Sequence, residues 1–506
     1  MTNTTMDARD SRTEATPAAT ASGSADSAAA TAAGQVLEFD DIQGVALSGF
    51  GRLTHAAYLV LRFNLPADAA RAALRQTADE VTSATLLPRE LRPRESLNVA
   101  LTSAGLQALG LPEDALATFP PEFRGGMAEQ YRARALGDIG VNAPETWQWG
   151  GPEEAGTPHL LLLCYADGEE LLGGLVARLL DRWTPGAATL LADERATPNF
   201  PFEHFGFRDD ITSVVIEGGY DKPAAGTPPI KAGEFLLGYQ NEYGLLPPSP
   251  SVPGMGADLG RNGTYLVFRK LEQDVPAFWE YCRAQADALA APGGGGVDTG
   301  SVAGHEYIAA KMVGRWRWGA PLANYPCAPP PEGTPRDGFD AFGFQKDDKQ
   351  GLRCPMGAHI RRANPRDVLG DLEGAGAERV VNRHRIARRG RPYGPPYADP
   401  TAAEPDGRER GLLFLCVNAD IARQFEFVQQ TWLNDPKFAR LWDEPDPVIG
   451  SAANIGDRGW GPDGAAFSIP QQPLRVRLKR VPQFVRVRAG GYFFVPGLRA
   501  LRRIAS

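Results

Sequence analysis

The 506-residue sequence has little of what several protein classes require. Its five cysteines are an odd number without a CxxC pair, so they indicate neither a zinc ribbon nor a disulfide framework and favour a reducing compartment. The longest unbroken apolar run, 160–166, is far shorter than the ~20 residues that span a bilayer. The net charge of −8 disfavours general binding to nucleic acid or to anionic membranes. We therefore expect a cytoplasmic protein without a nucleic-acid or membrane partner.

The N-terminal segment lacks the residues of a targeting signal. Residues 1–35 contain no aromatic residue, leucine or isoleucine, and they have neither a twin arginine nor the apolar stretch of a secretory signal. We interpret residues 1–36 as a disordered tail rich in Ala, Thr and Ser.

An internal repeat is the main signal for the fold. Strand patterns at 58–63 and 265–270 each precede a helical stretch, and so do the strand patterns at 160–164 and 412–416. Each half thus follows the order strand, helix, strand, strand, helix. This order predicts an α+β protein with two ferredoxin-like domains, each an antiparallel sheet with helices on one face. The alternative is a chance similarity between apolar strands.

A proline-rich segment marks the joint between the two halves. Four prolines, at 247, 248, 250 and 253, disfavour regular structure there. The predicted organisation is an N-terminal domain over 37–246, a linker over 247–262 and a C-terminal domain over 263–506.

Few catalytic signatures are present. The sequence has no GxSxG elbow and no GxxxxGK[ST] phosphate loop, and without CxxCH any haem would be held without thioether bonds. Of the six histidines, His359 lies beside three arginines, 361, 362 and 366, which should keep its imidazole neutral and available to a metal. From this segment alone, a hydrogen-bonded loop histidine remains the preferred interpretation.

Several segments occur together in one order that changes this interpretation. They are Gly206-Phe-Arg-Asp209, the 233–244 segment, Cys354-Pro-Met-Gly-Ala-His359, Arg388-Arg-Gly-Arg-Pro-Tyr-Gly394 and Arg410-Gly-Leu-Leu-Phe-Leu-Cys416. In this combination the chain resembles the dye-decolorizing peroxidases, most closely their large, non-secreted branch, over roughly residues 37 to 504. The resemblance implies a pair of ferredoxin-like domains, with a haem pocket in the second.

The resemblance also implies the roles of single residues. It makes His359 the ligand of the iron in a non-covalently bound haem b, Asp209 the distal carboxylate and Arg388 the distal arginine. Leu412 and Phe414, two positions apart on one strand, would form an apolar distal wall that also contacts the haem. The implied activity is oxidation of small organic donors, such as dyes or phenols, by hydrogen peroxide through a ferryl intermediate.

Several points stay open at the level of sequence. Arg389 is the rival of Arg388, and Asp446 is one candidate for the partner of the other ring nitrogen of His359. The family has glycine where this chain has Asp210, which should strain the backbone and bring a second carboxylate to the haem edge. An impaired distal site would instead leave a haem-processing, iron-removing or non-catalytic haem-binding protein. The oligomeric state is also open, a homo-oligomer included.

Overall fold

The computed structural model describes residues 36–184, 186–221, 229–253, 257–291, 302–451 and 465–506. The α-helices are α1 Gly44–Leu47, α2 Asp68–Ala78, α3 Ser103–Ala108, α4 Glu113–Leu116, α5 Pro121–Gly125, α6 Gln130–Leu136, α7 Glu169–Trp183, α8 Val275–Ala290, α9 Gly304–Val313, α10 His359–Ala363, α11 Ala375–Asn382 and α12 Leu498–Ala505. The strands are β1 His55–Phe63, β2 Glu95–Leu101, β3 Leu160–Ala166, β4 Ala188–Arg195, β5 Ser251–Val252, β6 Ala257–Asp258, β7 Thr264–Gln273, β8 Val368–Leu369, β9 Leu372–Glu373, β10 Ala387–Arg388, β11 Arg391–Tyr393, β12 Gly411–Asn418, β13 Ala466–Ile469, β14 Val476–Lys479 and β15 Val485–Val495.

Both halves of the chain form antiparallel sheets with the same strand order. In the first half the order is β4-β1-β3-β2, with α2 between β1 and β2 and α7 between β3 and β4. In the second half β15, β7 and β12 lie side by side, and the short strands β10 and β11 both pair with β12. Each half therefore has the ferredoxin-like arrangement, and the predicted fold class is confirmed.

The two sheets meet edge to edge. β15 of the second half pairs with β2 of the first at Phe494 and Leu101, so all these strands join in one continuous sheet. The Phe494 ring is fully buried, and it lies 5.3 Å from the Phe119 ring and 5.8 Å from the Tyr265 ring. This aromatic cluster joins the halves because its members come from both of them.

Helices cover one face of the sheet. In the first half, Leu74 of α2 and Leu179 and Trp183 of α7 pack with Leu59 and Leu162, which alternate with residues that face the other side. The second faces of the two halves pack against each other, since the rings of Tyr58 in β1 and Phe268 in β7 lie 5.6 Å apart, and α1 and loops complete this core, where Val45 and Phe235 are buried. In the second half a π-helical stretch, Ala422–Glu426 and Val428–Leu433, takes the place of the helix that the sequence predicts.

The linker predicted at 247–262 contains the two short strands β5 and β6, which pair with each other. The domain boundaries remain predictions. Across the described ranges, no helix is long and apolar enough to traverse a bilayer.

The junction makes a testable contribution to stability. Replacing Phe494 by alanine removes a fully buried ring from the aromatic cluster, so we expect the free energy of unfolding to fall by about 3–5 kcal/mol. The matched control is Leu86→Ala, at a position that is 59% exposed, where the change should stay within about 0.5 kcal/mol. Urea unfolding measures both, and a loss below about 1 kcal/mol for Phe494→Ala would show that the cluster does not stabilise the junction.

Candidate active site

A cavity of about 430 Å³ lies on the helix-bearing face of the second-half sheet. Its volume is within the range of ~300–1,000 Å³ that is usual for cofactor and small-ligand sites. Leu412 and Phe414 of β12 form part of its wall, together with Leu271 of β7. Leu413 and Leu415, which alternate with these two residues along β12, are buried on the opposite face of the sheet. The alternation predicted for this strand is therefore observed, and it places both apolar side chains in the cavity.

His359 reaches the cavity from the first position of α10. Its Nδ1 lies 2.9 Å from Oδ2 of Asp446, whose side chain is completely buried. The other carboxylate oxygen, Oδ1, accepts hydrogen bonds of 2.9 Å from the backbone N–H groups of Val448 and Ile449. These bonds fix the carboxylate, and the carboxylate fixes the imidazole. The structure thus pairs His359 with the partner that the sequence offered only as one candidate.

The arginines near His359 do not control its charge as the sequence suggested. Arg361 binds Asp348 at 2.9 Å, and Arg362 donates to the backbone carbonyl of Glu444 at 2.8 Å, so both guanidinium groups are engaged elsewhere. Burial opposes protonation of the imidazole, but the charge and hydrogen bond of Asp446 outweigh burial and raise the pKa of His359. The direction of this shift is opposite to the one expected from the three arginines, because the sequence does not show the Asp446 carboxylate that binds the ring.

Asp209 and Arg388 form an ion pair at the cavity. Nη1 of Arg388 donates to Oδ1 of Asp209 at 2.5 Å, and Nη2 donates to the carbonyl of Thr212 at 3.3 Å. Arg388 belongs to β10, where it lies opposite Cys416 of β12. The Asp209 charge raises the pKa of Arg388. Both charges also act on His359, since Asp209 favours its protonation and Arg388 opposes it. The three predicted polar residues therefore face one cavity.

The rival arginine has a different set of contacts. Arg389 donates from Nε and Nη2 to the carbonyls of Val45 and Ala46, each at 3.0 Å, and so ties β10 to α1. Arg389 lines the cavity, but its guanidinium is directed to α1 and is not paired with Asp209. The geometry therefore favours Arg388 over Arg389 as the partner of the distal carboxylate.

Asp210 does not act as the sequence predicts. Its φ angle is not among the positive values found at non-glycine residues of the described chain, and its side chain is not part of the cavity wall. Both carboxylate oxygens bind the guanidinium of Arg208 at 2.6 Å. The expected strain and the second carboxylate at the haem edge are both absent from the described loop. The argument for an impaired distal site thereby loses its structural basis.

The cavity wall also contains polar groups that sequence reasoning missed. They are Asp138, Glu203, Arg269, Arg366, His384 and Arg385. Asp138 and Arg269 form an ion pair, and their side chains are only 2% and 4% exposed. His384 engages the carbonyl of Arg423 through Nδ1, and its ring stacks on that of Phe427. For His384 and Arg385 the only signal was the basic cluster 383–391, of which Arg388 and Arg389 alone were considered, and Arg366 was considered only as a sequence neighbour of His359.

The wall has the chemistry of a site for a large anionic ligand with a metal centre. Burial lowers the pKa of Arg385 to about 10, and the positive charges of Arg366 and Arg388 act in the same direction. Within the described ranges, the Arg385 guanidinium has neither an ion pair nor a hydrogen bond, whereas Arg366 shares Asp340 with Arg315. A partly buried cation of this kind suits a carboxylate on the ligand. His359, whose Nδ1 is already engaged, suits a metal at Nε2. Haem, with one iron and two propionates, fits both features.

The fold and the site together give a two-sheet ferredoxin-like protein with a histidine–aspartate pair and an aspartate–arginine pair on one cavity. The chain is 30% identical over 496 residues to dye-decolorizing peroxidase msp1 of Mycetinis scorodonius, with 94% of this chain and 89% of that protein covered. It is also 30% identical to the multifunctional dye peroxidase DyP2 of an Amycolatopsis strain, covering 81% of this chain and 82% of that protein. A solved ancestral D-type dye-decolorizing peroxidase superposes with a TM-score of 0.75 at 27% identity, over 93% of this chain and 100% of that one. No family model matches the sequence.

The chain belongs to the dye-decolorizing peroxidase family, and it is a peroxidase. The family predicted from the order of the sequence segments is therefore confirmed.

The Asp138–Arg269 pair gives a prediction about this cavity wall. Asp138→Ala leaves the buried Arg269 guanidinium without its counter-charge, so we expect the protein to lose about 3–5 kcal/mol of stability. Asp167→Ala removes one partner of the exposed Arg94–Asp167 pair and should cost at most about 1 kcal/mol. Denaturant unfolding at one pH compares the two. Equal losses would mean that Asp138 is not needed to neutralise Arg269.

Proposed function

We propose that this peroxidase binds haem b without a covalent bond, uses hydrogen peroxide as oxidant and oxidises small organic donors. The observation that carries the proposal is the arrangement of two fixed pairs on one cavity. Asp446 orients His359, and Arg388 holds Asp209. The chain supplies an iron ligand, an acid–base group and a fixed cation, which are the groups that haem-dependent peroxide cleavage requires.

His359, Arg385 and Arg366 would hold the haem. Nε2 of His359 is the ligand for iron, and the hydrogen bond from Nδ1 to Asp446 fixes the tautomer and increases electron donation to the metal. Arg385, and next to it Arg366, would bind the propionate carboxylates. Leu412 and Phe414 would cover the porphyrin from the sheet side and exclude water.

When bound, haem would supply the two electrons for the reduction of peroxide, and two one-electron donors would return them, so that with two protons one H2O2 gives two waters. In this reduction Asp209 would take the proton from one oxygen of HOOH and return it to the other, which departs as water with both electrons of the O–O bond. The Oδ2 atom of Asp209 is suited to this task because only Oδ1 is engaged by Arg388. Arg388 stays cationic and stabilises the negative charge that develops on the leaving oxygen.

Dyes and phenols are the donors that we propose. The chain resembles multifunctional dye peroxidase DyP2 over most of its length. A solved dye-decolorizing peroxidase in complex with 2,6-dimethoxyphenol superposes on it with a TM-score of 0.74 at 27% identity. Peroxide-driven oxidation of a phenol and of a synthetic dye by the haem-loaded protein tests this proposal.

The ligand assignment predicts a difference between two cavity histidines. His359→Ala should abolish stoichiometric haem binding, because it removes the imidazole that Asp446 orients toward the cavity. His384→Ala is the matched control, since His384 also lines the cavity but is held by a backbone carbonyl, and this variant should keep the Soret band. Haem content per protein and the Soret absorption check both variants. An intact Soret spectrum in His359→Ala would overturn the assignment.

The distal arginine gives a second prediction. Arg388→Leu removes the cation beside Asp209, so the rate at which peroxide changes the haem spectrum should fall by about 100-fold or more, while the haem content stays the same. Arg389→Leu should leave that rate nearly unchanged and instead lower the melting temperature, since Arg389 ties β10 to α1. Stopped-flow absorption and thermal melting separate the two effects. The reverse pattern would assign the distal role to Arg389.

A further inference from the structure

A second carboxylate, Glu203, lies in the cavity wall near Asp209. Its Oε1 accepts a hydrogen bond of 2.8 Å from the N–H of Phe207, and its Oε2 accepts one of 2.9 Å from the N–H of Phe205. Gln273, at the end of β7, donates a third bond of 2.5 Å to Oε2. One carboxylate therefore ties together a tight turn and the sheet.

This turn belongs to the segment that bears Asp209. The N–H of Asp209 bonds to the carbonyl of Pro201 at 3.1 Å, so the chain enters and leaves the turn at one point. Trp279 of α8 donates from Nε1 to the carbonyl of Phe205 at 3.1 Å and anchors the tip of the turn in the core. Because Glu203 holds two amides inside this closed segment, its carboxylate helps to fix the position of Asp209.

The charge of Glu203 is also coupled to the distal pocket. Burial raises the pKa of Glu203 to about 7, the three N–H donors oppose this effect, and the negative charge of Asp209 adds to it. Electrostatic coupling is reciprocal, so an ionised Glu203 places a second negative charge beside Asp209. Below this pKa the carboxyl group of Glu203 is mainly neutral and adds no negative charge beside Asp209.

Other charged or titratable groups around the turn are already paired or buried. They are His204, which bonds to the carbonyl of Tyr393; Arg208, paired with Asp210; Arg317, which lies against Gly206 and pairs with Glu306; and Arg388, paired with Asp209. Among these described neighbours, none forms an ion pair with Glu203. When Glu203 ionises, its charge is therefore stabilised by three N–H donors and not by a cation among these neighbours.

We propose that Glu203 is a positioning residue of the distal pocket. Glu203 fixes the segment that bears Asp209, and its carboxyl group must stay neutral for fast peroxide cleavage. The inference rests on the proposed function. Cleavage of the O–O bond sends both bonding electrons to the leaving oxygen, which leaves as water after Asp209 returns the proton. A neutral Glu203 adds no charge to oppose this build-up of negative charge, whereas an ionised Glu203 opposes it.

The first test compares pH profiles of the haem-loaded protein. The rate of the spectral change with one equivalent of peroxide should fall several-fold in the wild type as the pH rises through about 7, because Glu203 ionises there. In Glu203→Gln, position 203 cannot ionise and the fall should be absent. The matched control is Glu194→Gln. It removes a buried carboxylate that binds Lys270 on the other face of the sheet. In this variant the rate should decrease with pH as it does in the wild type.

The second test does not depend on turnover. A carboxyl group whose pKa is higher in the folded than in the unfolded protein contributes stability at low pH, and this contribution is lost as the pH rises toward the folded-state pKa. The melting temperature of the wild type, measured relative to that of Glu203→Gln, should therefore fall between pH 4.5 and about 7 and then level off. A purely structural loss of hydrogen bonds would give a constant difference.

A third variant keeps the carboxylate and covers the case in which Glu203→Gln does not fold. Gln273→Leu removes the donor that favours the charged form of Glu203, so the break in the pH–rate profile should move to higher pH. An unmoved break in Gln273→Leu, or the wild-type fall retained in Glu203→Gln, would overturn the role of Glu203. Absence of any peroxide response in the wild type would instead refute the proposed function, and the melting curves would still report the titration of Glu203.

Discussion

The ion pair between Asp209 and Arg388 is the interaction on which the candidate site depends. The two residues are 179 positions apart in sequence, and one comes from the segment after the first sheet while the other lies on an edge strand of the second. Their pairing at 2.5 Å brings a carboxylate and a fixed cation to one wall of the cavity that contains His359. Each group is held further by the backbone, Asp209 through Pro201 and Arg388 through Thr212. The site is thus preorganised by contacts that do not require a ligand.

The architecture explains why such a pair can form. The two ferredoxin-like halves share one continuous sheet, and the N–H of Thr197, just after β4, donates to the carbonyl of Pro392 in β11 at 2.8 Å, so the chain leaves the first half beside the second-half sheet, one face of which bears the cavity. On that face, strand alternation turns Leu412 and Phe414 toward the cavity and their neighbours into the core behind the sheet. The histidine–aspartate pair comes from α10 and the loop after the π-helical stretch. An apolar wall and two polar pairs therefore come from separate parts of the chain, and each is positioned by a different element of the fold.

Much of the fold could be predicted from the sequence because it rests on local periodicity. The apolar strands at 58–63 and 160–164 and their counterparts in the second half carry the ferredoxin-like order, and the structure has strands at all four positions. The site required more than periodicity. His359, Asp209 and Arg388 were named through the resemblance to a family, and the geometry brings them to one cavity. Asp210 was misjudged because nothing local reveals that Arg208 would bind both of its carboxylate oxygens. Glu203 and Arg385 were missed because what distinguishes them is that neither side chain forms an ion pair within the described residues. The sequence does not show which charges the folded chain leaves without an ion-pair partner.

The central claim is that two fixed pairs on one cavity make this peroxidase haem-dependent. The most direct measurement is the absorption spectrum of the full chain supplied with one equivalent of haem, recorded before and after one equivalent of hydrogen peroxide. The account predicts a stoichiometric Soret band that changes within seconds of peroxide addition and returns when a phenol is added. A protein that takes up no haem, or whose Soret band is unaffected by peroxide, would contradict it.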